Sequence, residues 1–205
     1  MFASPLDLLK KHIAMILLTG AIVALAVFLL TILMPRDYRA DAQVLIISKT
    51  RYGVDPYTTV KSAERVGENI VQVIKTNDFY QKVVANPGYK LDTTRFTNVT
   101  ERIKRKRWHN TVDASVIYGT GVLNVSAYHR NPEQATQFAA ATAQTLVEKG
   151  WEYVGGDVIM KVVNDPIVTR WPVRPNVLVN TVAGFFVGLV IAGVWAMHQR
   201  RHLLS

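Results

Sequence analysis

The chain has 205 residues, no cysteine, 24 Lys and Arg against 15 Asp and Glu, and a formal net charge of +9. The missing thiols exclude disulfides, thiol nucleophiles and Cys-based metal sites, and the length leaves room for one ordinary domain besides any apolar anchors. The basic balance suits anionic lipid headgroups, phosphorylated lipid carriers or acidic glycans; nucleic acid is set aside because the basic segment is expected outside the cytoplasm.

Residues 1–12 form a short stub in which Ser4-Pro5-Leu6-Asp7 reads as a helix start. Ile13 to Met34 is then an uncharged apolar run of 22 residues, and Val177 to Met197 is another of 21. A bilayer core of roughly 30 Å takes about 20 helical residues, and neither run carries the polar stripe of a buried core helix. Both are therefore predicted to be transmembrane helices, 13–34 and 177–197. The 142 residues from Pro35 to Asn176 then lie on one side and both termini on the other. Lys10 and Lys11 flank the first run, and Arg200 and Arg201 the second, which puts both short ends in the cytoplasm. The segment between carries 20 Lys and Arg against 14 Asp and Glu, but a segment of that length translocates largely regardless of charge. Met34-Pro35-Arg36 is not a small-residue cleavage site, so the first run is expected to be retained. Within it, Gly20 and Ala24 share one face, where another helix can approach.

Tyr38 to Ser48 alternates Tyr38, Ala40, Ala42 and Val44 with Arg39, Asp41 and Gln43, the period of a half-buried strand. Thr50 to Thr59 holds Gly53 and Pro56 and reads as a loop. From Val60, the spacing of Ala63, Val66, Ile70, Val73 and Ile74 predicts a helix. A short helix follows, capped by Asn77 and stopped by Asn86-Pro87-Gly88, and Leu91 to Asn98 is irregular. Thr100 to Trp108 is predicted as a helix capped by Thr100. Thr111 to Tyr118 and Val122 to Tyr128 form a hairpin around Gly119-Thr120-Gly121. Asn131-Pro132-Glu133 starts a helix that runs to Gly155-Gly156. Asp157 to Val163 is the last strand, and Asn164 to Asn176 is a proline-punctuated stretch. The fold class is α+β: a membrane-proximal, extracytoplasmic sheet-and-helix domain (35–165) and a Pro-rich junction (166–176), flanked by two transmembrane helices, with 198–205 as a cytoplasmic tail.

Three constellations stand out. Pro172 and Pro175 hold φ near −65° and predict a stiff extended strut over Trp171 to Asn176, read either as membrane-boundary punctuation or as a device that sets the domain's orientation. Asn180, Gly184, Gly188, Ala192 and Ala196 recur every four residues, a small-residue face for transmembrane packing against the first helix or a neighbouring subunit; Asn180 is read as an interhelical hydrogen-bonding residue. Arg102, Lys104, Arg105, Lys106 and Arg107, followed by Trp108, are read either as a solvated surface or as a contact for lipid phosphate or glycan. His109 and His129 are isolated, without metal spacing. No nucleophile elbow or phosphate loop is present, so neither catalytic nor metal residues nor a cofactor are expected, and the chain is read as a non-enzyme.

These stretches resemble the bacterial polysaccharide co-polymerases, the Wzz-type chain-length determinants. Pro35-Arg36-Asp37-Tyr38-Arg39-Ala40-Asp41-Ala42 is similar to the family's P-x-x-Y-x-A-x-A start of the first strand. Val125 to Ala135 is similar to its strand followed by Asn-Pro-x-x-Ala, and Pro172-Val173-Arg174-Pro175-Asn176 with Asn180, Gly184 and Gly188 to its Pro-rich signature and glycine-bearing helix. The chain departs from the family in having Thr169 where a further proline often stands, and in lacking long inserted helices before the last strand.

The resemblance implies a homo-oligomeric, membrane-proximal scaffold in a bacterial inner membrane that modulates how far a lipid-linked glycan grows, alongside a polysaccharide polymerase. Some relatives carry or activate a tyrosine autokinase; this chain has no phosphate loop, and only its tail could touch a separate kinase. The alternatives are a structural subunit of an envelope or secretion complex, or a two-span sensor with a separate output subunit.

Overall fold

The computed structural model describes residues 12–48, 55–155 and 158–201, without the side chains of Pro56 and residues 199–201. The stub motif Ser4-Pro5-Leu6-Asp7, Gly53, Gly156, Asp157 and residues 202–205 of the tail lie outside them. The chain divides into two units, Asp37–Val173 and the segments that flank it.

In the flanking unit, helix α1 spans Ile13–Leu33 and helix α7 spans Val177–Arg201. Both are long and apolar enough to cross a membrane. Most of their large side chains are exposed, among them Leu18, Leu30 and Leu33 on α1 and Leu178, Val190 and Val194 on α7, whereas a helix in a soluble core would bury them.

Asp37–Val173 is built on a four-stranded antiparallel sheet of order β2-β3-β1-β4. Its strands are β1 (Tyr38–Ser48), β2 (Val112–Ile117), β3 (Val122–His129) and β4 (Val158–Val168). The helices are α2 (Pro56–Ile74), α3 (Asn77–Val84), α4 (Glu101–Thr111), α5 (Pro132–Lys149) and the single turn α6 (Trp151–Val154). Alternation in β1 works as the sequence requires: Ala40, Ala42, Val44 and Ile46 are buried, and opposite them in register β3 buries Leu123, Val125 and Ala127. The core closes with Ile70 and Ile74 of α2, Phe79 and Val83 of α3, and Phe138 and Leu146 of α5. The opposite face of the sheet carries a polar row, in which Ser126 Oγ donates to Asp41 Oδ1 at 2.6 Å and Asn164 Nδ2 to Gln43 Oε1 at 2.6 Å.

Several boundaries differ from the sequence expectation. Helix α2 begins at Pro56, inside the expected loop, because the Asp55 carboxylate accepts from the N–H groups of Tyr57 and Thr58 ahead of a proline at the first position. Thr76, not Asn77, caps α3. Thr100 occupies the cap position of α4 but makes no side-chain cap bond, and the helix runs on to Thr111. A three-residue 3-10 turn, Thr94–Phe96, lies within the stretch expected to be irregular. The expected long helix after Pro132 breaks at Gly150, where Cβ would meet the Leu146 carbonyl and the Met160 side chain.

The last strand extends beyond Val163 through Pro166 to Val168. Proline is tolerated there because β4 is an edge strand with register shifts opposite Asp41 to Val44; a bulged edge does not need the missing N–H. The first three residues of the expected junction therefore belong to the sheet. Thr169 continues the pairing, its N–H donating to Arg39 O at 2.7 Å and its hydroxyl accepting from Arg39 N at 3.2 Å. A proline at 169 would lose both bonds, having neither the N–H nor the hydroxyl. Val173 N–H donates to Asp37 O at 2.9 Å, so this unit begins and ends side by side.

Candidate functional site

The small-residue face of α7 meets α1 of the same chain. A Cβ on Gly188 would stand 2.8 Å from Gly20 Cα and 3.1 Å from Thr19 O, and one on Gly184 would fall 2.9 Å from Val27 Cβ. Ala192 and Ala196 are buried, as are Ile16, Gly20 and Thr31 on α1. Asn180 Nδ2 reaches Thr31 Oγ1 at 3.5 Å, and that hydroxyl donates to Val27 O at 2.7 Å, so the amide approaches a neighbouring helix through a group already tied to its own backbone. Of the two partners open to this face, the structure brings in α1, and close backbone approach is what glycine permits.

Pro172 and Pro175 lie where bends at Arg170, Trp171 and Pro175 interrupt the backbone, and the Arg174–Pro175 peptide is cis. The bends keep the stretch from being one continuous extended strut. Asn176 caps α7, its Oδ1 accepting from Val179 N–H at 3.1 Å, and Pro175 precedes the cap.

The five-cation run does not form one patch. Helical spacing sends Arg102, Arg105, Lys106 and His109 to the exposed side of α4, where with Glu101 they line an open groove of about 420 Å³. Lys104 turns back to Glu101 at 2.7 Å and lies 6.0 Å from the Tyr80 ring centroid. Trp108 is 1% exposed and is not available to a ligand. Its ring packs against Tyr80, Phe96 and Phe138, and its Nε1–H donates to Ile74 O at 2.7 Å.

Arg107 goes elsewhere. It lines a cleft of about 450 Å³ with Asp37, Arg95, Asn110, Thr111 and Arg130. Arg95 and Arg130, some 12 and 23 positions from Arg107, were not legible as companions: one comes from the 3-10 turn and the other from the β3–α5 connection. Arg107 Nη1 donates to the Arg95 carbonyl, and Arg95 Nη2 lies 3.8 Å from Asp37 Oδ1.

His129 lies beside this cleft, stacked on Phe138, its Nδ1 accepting from Asn131 N–H at 3.1 Å and its Nε2 3.8 Å from Asp92 Oδ2. Burial, with Arg95 nearby, pushes its pKa below the ordinary histidine value, which favours the neutral ring. Asp92 is held low chiefly by hydrogen bonds from Thr94. Among the described residues no group of His, Cys, Asp and Glu side chains is arranged to hold a metal ion.

Compared with known proteins, the chain matches no protein-family model and no curated relative.

Proposed function

We propose that this chain is a two-span protein of a bacterial inner membrane that regulates the chain length or export of a lipid-linked surface polysaccharide, acting as an oligomeric, non-catalytic scaffold. The observation that carries the reading is the architecture. An α+β unit whose first and last segments pair at Asp37 and Val173 is flanked in the sequence by two apolar helices that pack through Gly20 and Gly188. That arrangement agrees with the resemblance in the segments after Pro35, around Asn131-Pro132 and from Pro172 into α7. Lys10, Lys11, Arg200 and Arg201 support cytoplasmic termini and an extracytoplasmic Asp37–Val173. In this reading the partners are further copies of the chain, membrane lipids, a polysaccharide polymerase with its lipid-linked glycan and, through the short tail, a separate tyrosine kinase. Pro172 and Pro175 set the domain's orientation, and exposed Arg102, Arg105 and Lys106 offer contacts for glycan or phosphate.

The test is gel analysis of surface or exported polysaccharide from cells lacking the gene and from cells complemented with wild type or P172A/P175A. Deletion is expected to randomise the length distribution, wild type to restore it, and the double variant at equal protein level to restore it poorly. An unchanged distribution on deletion, with no second copy of such a gene expressed, sinks the proposal.

A further inference from the structure

We infer that the Arg95–Arg107–Arg130 cleft is a binding site for a phosphoryl group. The three arginines are brought from separate parts of the chain to line one cavity of about 450 Å³, within the size of small-molecule sites. A planar guanidinium offers five N–H donors in a fork that matches phosphate oxygens, and stays charged at any physiological pH. Arg107 spends Nη1 on the Arg95 carbonyl, an anchor that fixes its fork while leaving other donors for a ligand. No carboxylate pairs with Arg107 or Arg130 among the described residues.

The cleft contains one opposing charge, Asp37. Its Oδ1 is buried without a hydrogen-bond partner and faces Arg95 at 3.8 Å. One carboxylate against three guanidiniums leaves two positive charges, which suits a phosphate monoester or diphosphate and also an anionic lipid headgroup. Asn110 and Thr111 add neutral polar groups to the wall. The outward side of α4 differs in kind: Arg102, Arg105 and Lys106 lie along one helix beside Glu101, and their groove is open. Flexible exposed cations attract anions diffusely and are screened by salt, whereas converging arginines discriminate by geometry.

The proposal does not rest on the polysaccharide reading, because it is tested by binding in vitro and that reading by polymer length in cells. The experiment uses the full-length protein in non-ionic detergent, titrated calorimetrically with inorganic diphosphate and, separately, with micelles doped with phosphatidylglycerol against phosphatidylcholine. Wild type is expected to bind in at least one arm. R107A/R130A is expected to weaken that binding at least tenfold, and R65A/K161A, which removes exposed cations of α2 and β4 outside the cleft, less than threefold. Single R130A, which alters only an exposed side chain, carries the test should the double variant lose its thermal transition. Binding confined to diphosphate identifies a soluble phosphate ligand; preference for phosphatidylglycerol identifies a lipid headgroup. Equal weakening by both sets of substitutions, or no binding in either arm, overturns the site.

Discussion

Trp108 shows how one side chain can stand for a function it does not have. At the end of a basic run it looks like an interfacial aromatic, yet full burial of a side chain of that size contributes about 2–3 kcal/mol, and its indole hydrogen bond to Ile74 O adds about 1 kcal/mol. That bond also satisfies a carbonyl in the last turn of α2, which has no partner within its own helix. Trp108 therefore fastens α4 to α2 and lets the cations around it face outward. His129 carries the residue-scale prediction. Its pKa is lowered in the folded state by burial and by Arg95, against the opposing pull of Asp92 and Asp37. The unfolded chain thus binds a proton that the folded chain refuses. The stability this represents is complete above the unfolded value of about 6.5 and declines as pH falls below it. Asp92 and Glu64, whose folded values are also lowered, lose their contributions only in the more acidic carboxylate range. The melting temperature of the wild-type protein is expected to fall between pH 7 and pH 5, and that of H129Q to fall less. Parallel pH profiles for the two would refute the assignment to His129.

At the scale of elements, the α1–α7 pair and the Gly119-Thr120-Gly121 hairpin depend on glycine for different reasons. Gly119 and Gly121 take positive φ, +79° and +66°, which close the turn between β2 and β3. Gly119 N–H donates to the nearly buried carboxylate of Glu64, which also meets Lys61 at 2.9 Å, so the hairpin tip is fastened to α2. Gly188 instead matters for space, since its would-be Cβ meets backbone atoms of Gly20 and Thr19 that cannot swing aside. G188I is expected to destabilise the helix pair by about 1–3 kcal/mol, the usual cost of overpacking. V187I, one position away on an exposed face, is expected to stay within about 0.5 kcal/mol. Thermal unfolding of both variants in detergent compares them directly, and equal melting temperatures would mean that the close approach at Gly188 is unimportant.

For the whole molecule, the absence of cysteine turns topology into a clean measurement. In the proposed orientation Asp37–Val173 is extracytoplasmic, and Ser115 lies exposed on it. S115C is expected to react with a membrane-impermeant maleimide added to intact spheroplasts, and S205C only after the membrane is opened. The reverse pattern would invert the orientation and remove the domain from the compartment of surface polymers. The division into a helical pair and an α+β unit also separates the tests: substitutions at Gly188 probe the first, and those at Arg107 and Arg130 the second.

Much of this fold follows from periodicity and caps read along the chain. The two apolar runs, the alternation of β1, the β2–β3 hairpin and the Asn131-Pro132 helix start depend on neighbours within a few positions, so local sequence determines them. Tertiary structure decided what depends on distant partners. Pro166 stays in a strand because β4 is a bulged edge. Trp108 turns inward because Tyr80, Phe96 and Phe138 surround it. The five-cation run is divided by the 3.6-residue turn of α4, and only the packing of that helix beside the 3-10 turn and the end of β3 brings Arg107 together with Arg95 and Arg130. No spacing rule along one chain encodes a meeting of three elements; burying a shared core does.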